Sequence, residues 1–144
     1  MEHSELSYAL RALFVAHEKA TRATAHQLDL NLTDLTAVDH LLSSPHGLGP
    51  TELGRLLGIR ASAATKVVDR LTASGHAQRD EHGSDRRRQT VQATPKAYQD
   101  VIDALLPLFA RVEAAAGRLT PEQATATAWF LREVTEAMNS FAAE

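Results

Sequence analysis

The sequence contains no cysteine, and this absence excludes disulfide bonds, thiol redox sensing and zinc sites with cysteine ligands. It also lacks any apolar run close to the roughly 20 residues that a membrane-spanning helix needs. The first residues, MEHSELSYALRALF, carry two glutamates and no basic segment, so no secretory signal peptide is expected there. A cytoplasmic location is the resulting expectation.

Signatures of catalysis and of metal binding are also missing. The sequence has no nucleophile elbow, no phosphate-binding glycine loop and no acid pair set in apolar surroundings, so an enzyme and a cofactor are not expected. Seven histidines are present, but no His-x-x-x-His pair gives a local ligand spacing, and no metal site is expected. The alternative is a site formed only in the folded chain, where His17, His26 and His40 come together with Glu18 or Asp39.

The charges that are present are distributed unevenly along the chain. The formal net charge of the 144 residues is -3, but residues 50–96 sum to +4 and the rest of the chain to -7. A basic middle between acidic ends is typical of a protein that binds a polyanion. An ordinary solvated surface can have the same pattern, and charge alone does not decide between the two.

Apolar spacing predicts a mainly α chain with one small β-hairpin. The predicted helices are 5–27, a second helix that Thr33 caps, 50–57, 61–73, 95–116 and a last helix after a capping box at Thr120. The predicted strands are 76–79 and 88–93, joined by a turn that contains Gly83. Pro107 falls inside the fifth helix, where a kink is expected.

The segment TELGRLLGIRASAATKVVDRL, from Thr51 to Leu71, has the spacing of a helix-turn-helix with Gly58 at its turn. The outer face of its second helix carries small, hydroxylated and basic residues: Ser62, Ala63, Thr65, Lys66 and Arg70. Such a helix fits the major groove, where hydroxyls contact bases or phosphates and basic groups contact phosphates or guanine. The alternative is two ordinary packed helices.

The predicted hairpin carries the densest positive charge of the chain. Asp85 precedes three consecutive arginines, Arg86, Arg87 and Arg88, at the end of the turn. A two-stranded wing beside a recognition helix can bring arginine to the narrow minor groove, which concentrates negative potential. Asp85 opposes phosphate binding unless it orients a neighbouring guanidinium through a bidentate pair. The alternative is an exposed turn whose ion pair contributes little.

Together these motifs resemble the MarR-type (multiple antibiotic resistance) winged helix-turn-helix regulators. The resemblance covers nearly the whole chain. Its most specific part is the wing signature, in which Asp-x-Arg is followed six residues later by an apolar residue and threonine. Here the signature reads Asp85-Arg86-Arg87 and then Ala93-Thr94. The end of the recognition helix, from Leu71 to Gly75, also matches.

The resemblance implies a winged helix-turn-helix lobe at 33–94, with dimerisation helices at 5–27 and 95–142. It implies a homodimer whose first, fifth and sixth helices interdigitate, and a ligand-responsive repressor of a pseudo-palindromic operator. The recognition helices would enter successive major grooves. The wing arginines would enter the minor groove, with Arg87 as the inserted residue and Asp85 as its positioning partner.

Four positions depart from the family pattern. Ala93 replaces a large aliphatic residue, Ala97 replaces a glycine, and His76 occupies a place where a bulky apolar strand residue is common. Arg60 replaces the usual Ser or Thr cap of the recognition helix. These changes predict a lightly packed wing and a recognition helix whose N-terminus reaches phosphate through Arg60.

The family also binds small anionic or phenolic ligands between its dimerisation helices and its DNA-binding lobe. The resemblance makes four residues candidates for such a pocket wall: Phe14, His17, His40 and Tyr98. The alternative is that they are ordinary core and interface residues. For the whole chain the second functional hypothesis is a winged helix that binds a protein and no specific DNA. The arginine run and Lys66 argue against it, because such a surface should be apolar.

Overall fold

The computed structural model describes residues 4–81 and 89–144 of the chain. The elements of these ranges follow in order: α1 Glu5–Gln27, α2 Leu32–Leu42, α3 Pro50–Leu57, α4 Ala61–Ala73, β1 Ala77–Glu81, β2 Gln89–Ala93, α5 Pro95–Ala116 and α6 Pro121–Ala142. This order confirms the predicted mainly α class with a β-hairpin wing. Strand β1 begins one residue later than predicted, and the predicted start of the second strand, residue 88, lies outside the described residues.

Capping residues set the starts of two helices. The capping box predicted for α6 is present, since the Thr120 hydroxyl accepts from the Gln123 backbone N–H at 3.2 Å and the Gln123 side chain accepts from the Thr120 N–H at 2.9 Å. The prediction that Thr33 caps α2 is wrong. The cap is Asn31, whose Oδ1 accepts from the Asp34 N–H at 2.8 Å, and Thr33 lies within the helix. Asn precedes Thr in cap preference.

The hairpin is antiparallel and is joined by a third segment that the sequence did not predict. In the hairpin, Ala77 pairs with Ala93 and Arg79 with Val91. Leu48 forms an isolated bridge to Val91, with backbone N–H···O distances of 2.9 and 2.8 Å. Gly47 precedes it at φ 82°, and a Cβ atom there would lie 3.0 Å from the Val91 carbonyl oxygen. A side chain at this position would therefore displace the bridge.

The core lies in the first of two compact units, Met1–Leu105. Residues from α2, the connection after it, α3, α4, the hairpin and the start of α5 form one buried cluster: Ala37, Val38, Leu41, Leu48, Leu53, Val67, Val68, Leu71, Ala77, Val91, Ala97 and Val101. The inner face of α4 is thus fixed by packing, and its outer face is left to solvent.

The second unit, Leu106–Glu144, contains the later part of α5 and all of α6. Pro107 lies inside α5, as predicted. None of the 22 residues of α6 is buried, although its sequence is rich in large apolar side chains. A helix with this composition is expected to be covered by another surface.

Candidate nucleic-acid interface

The helix-turn-helix is formed by α3 and α4. Gly58 caps the C-terminal end of α3, and its backbone adopts a left-handed conformation with φ 67°. The two helices approach closely at Gly54, where a Cβ atom would lie 3.0 Å from the Ile59 carbonyl oxygen and 3.3 Å from the Ala64 Cβ. The absence of a side chain at Gly54 therefore allows α4 to pack directly on α3, which fixes the direction of its exposed face.

The exposed face of α4 carries most of the residues that the sequence assigned to it. Ser62, Thr65, Lys66 and Arg70 are exposed, while Ala63 is only half-buried. The opposite face is buried through four apolar residues: Ala64, Val67, Val68 and Leu71. The Thr65 hydroxyl donates to the Ala61 carbonyl at 3.1 Å. Its oxygen can still accept a hydrogen bond from a donor outside the helix.

Arg60 occupies the N-cap position of α4, as the sequence predicts. Its backbone has φ -69° and ψ 154°, and its side chain makes no capping hydrogen bond. The first N–H groups of a helix lack partners within the helix, and they suit an anion. The exposed guanidinium of Arg60 adds positive charge at the same end.

Arg70 makes a contact that sequence reasoning missed. Its Nε donates to Asp34 Oδ2 at 2.9 Å and its Nη2 donates to Asp34 Oδ1 at 2.7 Å, so the pair is bidentate. The hydrogen bond to Asp34 raises the pKa of Arg70 above its ordinary value. The two residues are 36 positions apart, on α2 and α4. No local spacing could have signalled their contact.

A second ion pair joins α4 to the wing. Arg79 of β1 donates from Nη2 to Asp69 Oδ1 on the exposed side of α4. The negative charge of Asp69 on the recognition helix is therefore balanced by a residue of the first wing strand. The pair also ties the direction of the hairpin to the helix, although an exposed pair of this kind adds little to stability.

The tip of the wing lies outside the described residues. This segment holds four of the predicted DNA contacts: Asp85, Arg86, Arg87 and Arg88. Their roles stay predictions. The strands that lead to the tip are described, and Val91 anchors the second of them in the core.

His76 is a buried polar residue between α4 and α5. Its Nδ1 lies 2.7 Å from the Ser74 hydroxyl and its Nε2 lies 3.0 Å from Asp100 Oδ2. Lys96 also hydrogen-bonds Asp100 and lowers the pKa of that carboxyl below its ordinary value; burial opposes this shift, and the bond from His76 adds to it. Hydrogen bonds thus replace the apolar packing that is common at this position, and they connect the end of α4 to α5.

The four candidate ligand residues do not share one of the cavities found beside them. Tyr98 lines a cavity of about 250 Å³ with residues from the ends of α2 and β2. His17 lines another cavity, of about 170 Å³, beside Leu32. Phe14 is exposed and His40 is half-buried, and neither lines these two cavities. Their roles in ligand binding also stay predictions.

The described part of the chain shows neither a metal-binding cluster nor a helix that could span a membrane. Across residues 4–81 and 89–144, no three His, Asp or Glu side chains form a group that could hold a metal ion. Within the same ranges, every helix is too short or too polar to cross a bilayer.

Part of the chain matches a known family model, and its fold matches several solved structures. Residues 28–88 match the MarR family model. No curated protein matches the sequence. Among solved structures, apo MarR from E. coli is 17% identical at a TM-score of 0.66, over 93% of this chain and 98% of that chain. An S. aureus MepR variant bound to an oligodeoxyribonucleotide is 16% identical at 0.67, over 94% and 99% of the two chains.

S. aureus MepR bound to ethidium bromide is 15% identical at a TM-score of 0.67, over 94% of this chain and 97% of that chain. At sequence identities this low, the similarity to these structures is a similarity of fold. It extends over nearly the full length of each chain. Residues 28–88 thus resemble the MarR family in sequence, and the chain shares the winged helix-turn-helix fold of the MarR and MepR structures.

Proposed function

We propose that the protein is a homodimeric repressor that reads a pseudo-palindromic operator and responds to a small molecule. The observation that carries the proposal is the division of α4 into a buried apolar face and an exposed face with hydroxyl and basic groups. That face has the size and the chemistry for the major groove. The fold is shared with a MepR variant that was solved bound to an oligodeoxyribonucleotide. MarR-family regulators are not enzymes.

The proposal gives the two DNA-binding elements different roles. Thr65 and Lys66 of α4 contact base edges and specify the sequence. Arg87 of the wing enters the minor groove, and Asp85 orients it. Base contacts specify a site and phosphate contacts position the protein on it, so the two roles differ in their response to operator sequence and to salt.

Variants of the two elements should separate these roles. Thr65→Ala and Lys66→Ala should each reduce discrimination between operator and mismatched sites, by about 1–3 kcal/mol at the contacted position. Arg87→Ala should weaken binding to all sites by a similar factor. It should also lower the salt slope, which is the slope of log affinity against log salt concentration, by about one unit. Fluorescence anisotropy with operator and mismatched duplexes at several salt concentrations measures both effects.

Two further variants make this test specific. Thr36→Ala removes an exposed threonine with the same type of hydrogen bond to the preceding turn, on α2, and should leave discrimination unchanged. Asp85→Ala should weaken binding although it removes a negative charge. Tighter binding of Asp85→Ala at every salt concentration would show that Asp85 does not orient Arg87.

Exposed apolar residues on the terminal helices support the homodimer. On α1 and α6 these residues are Leu6, Tyr8, Leu13, Phe14, Val15, Trp129, Leu131, Met138 and Phe141. Phe141, for example, is 78% exposed in the single chain. Apolar surface of this extent is typical of an interface between copies.

A dimer is therefore expected at micromolar protein concentration in sedimentation equilibrium. Met138→Glu, which would bury a charge in the interface, should shift the equilibrium to monomer, because an unpaired buried charge is strongly unfavourable. Asn139→Glu adds the same charge at the adjacent exposed position and should have a smaller effect. A wild-type monomer would contradict the proposal. Footprinting of the dimer should show half-sites about one helical turn apart, roughly 34–36 Å.

The response to a small molecule has separate support. MepR, which shares the fold, was solved with ethidium bromide bound. In the present chain, Tyr98 lines a cavity near the connection between the wing and α5. A ligand at that place would contact both the hairpin and the helix that follows it.

The alternative function, a winged helix that binds a protein and no specific DNA, has less support. Such a surface should be apolar at its centre, because charged residues are depleted there in protein interfaces. The exposed face of α4 is polar and carries Lys66 and Arg70.

A further inference from the structure

The contact between Asp34 and Arg70 combines a buried acid with a half-exposed base. The Asp34 side chain is 4% exposed and the Arg70 side chain 50% exposed. A buried carboxylate is normally accommodated only when it is paired and hydrogen-bonded. Both Asp34 oxygens accept from Arg70, and the described residues show no other charged partner for this carboxylate. Arg70 therefore compensates the charge of Asp34 from the solvent side.

Asp34 is held in place by its own helix. It lies in the first turn of α2, where the helix dipole favours a negative charge. Its backbone N–H donates to the cap residue Asn31. The start of α2 thus fixes the backbone of Asp34, and burial restricts the side chain that carries the carboxylate.

The guanidinium of Arg70 has donors that Asp34 does not use. Of its five N–H groups, Asp34 accepts one from Nε and one from Nη2. The remaining donors belong to Nη1 and to the other hydrogen of Nη2, which form the second edge of the planar group. Two parallel donors on one edge fit a phosphate in bidentate geometry. Arg70 also lies one helical turn beyond Lys66, on the exposed face of α4.

We propose that Asp34 is a positioning residue for DNA binding, which holds the Nε/Nη2 edge of Arg70 so that the adjacent Nη1/Nη2 edge binds a backbone phosphate. This inference rests on the proposed function of α4 as the recognition helix. Without Asp34, a long arginine side chain samples many rotamers, and ordering it on the phosphate reduces affinity. With Asp34, the guanidinium is oriented before the DNA arrives.

Counting charges predicts the opposite effect. Asp34 is an acid beside a helix that binds a polyanion, so its removal should tighten binding if it acts only through its charge. A role confined to the stability of the fold makes a third prediction, which is lower stability with unchanged affinity of the folded protein. The three outcomes can be distinguished with isosteric variants.

The test compares Asp34→Asn, Arg70→Gln and the double variant in the full-length protein. Operator affinity is measured across a salt series. The protein concentration of each variant is corrected for the fraction of molecules that can bind DNA, which a stoichiometric titration measures. Asp34→Asn should lower affinity about 10-fold, the scale of a hydrogen bond to a charged group. Arg70→Gln should lower affinity and reduce the salt slope by about one unit per protomer. In the Arg70→Gln background, Asp34→Asn should cause no further loss.

Asp29→Asn is the matched control. Asp29 is exposed and lies in the same compact unit, and Asn tolerates its left-handed backbone, φ 54°. The charge change equals that of Asp34→Asn, so Asp29→Asn should leave affinity unchanged or raise it slightly. Unchanged or tighter binding by Asp34→Asn would overturn the inference, as would a loss that persists in the Arg70→Gln background.

A second variant covers the case in which Asp34→Asn does not fold. Arg70→Lys keeps the positive charge opposite Asp34 but has no second planar edge. It should fold and bind operator about 10-fold more weakly, whereas unchanged affinity would contradict the bridging role of Arg70. Wild-type protein that binds no DNA would refute the proposed function itself. Wild-type binding with unaffected Asp34 and Arg70 variants would refute only the positioning role.

Discussion

Raising the salt concentration from about 50 to 200 mM should weaken operator binding by about 10³–10⁵-fold, if the dimer contacts 6–10 phosphates. Each protomer offers six candidate cations: Arg60, Lys66, Arg70, Arg86, Arg87 and Arg88. Binding of these cations to phosphates releases condensed counterions, and the entropy of that release falls as bulk salt rises. A chain with net charge -3 still follows this dependence, because the local charge at the DNA decides it.

The slope of log affinity against log salt is the measurement. Arg118→Ala removes a positive charge from the second unit, between α5 and α6, and should leave the slope unchanged. Arg87→Ala should lower it. A slope near zero in the wild-type protein would mean that phosphates are not contacted, and it would favour the protein-binding alternative.

Leu71→Ala should lower the free energy of unfolding of the first unit by about 2–5 kcal/mol. Leu71 is 0% exposed and belongs to the core cluster, on the buried face of α4. Truncation loses the transfer free energy of the removed carbons and leaves a cavity that close-packed neighbours fill only in part. The free energy of unfolding of a domain is about 5–15 kcal/mol, so this loss is a large fraction of it.

Leu56→Ala is the matched control on the adjacent helix. Leu56 is 49% exposed, and its truncation should change the free energy of unfolding by about 0.5 kcal/mol or less. Denaturant unfolding of both variants at the same protein concentration measures the difference, since dimerisation makes stability depend on concentration. Equal losses for the two variants would show that the described core does not hold the lobe together.

Local patterns in the sequence were sufficient for the elements of the fold. The spacing of apolar residues gave all the described helices and the hairpin. The capping box at Thr120 and the turn at Gly58 were found because each depends on residues within one turn of the chain. The exposed face of α4 followed from helical periodicity, since the buried and exposed sides of a helix alternate with a fixed period. The error at Thr33 was also local, because Asn31 competes for the same role two residues earlier.

The sequence by itself determined the resemblance to the MarR family, the order of elements and the chemistry available on the exposed face of α4. Tertiary structure decided how that chemistry is arranged: the pairing of Arg70 with Asp34, of Arg79 with Asp69 and of His76 with Asp100, and the bridge from Leu48 to Val91. Each of these contacts joins residues that are distant in the sequence, and the separation in the ion pairs runs from 10 to 36 positions. Periodicity and capping rules describe neighbours along the chain, whereas these contacts depend on how helices and strands pack together.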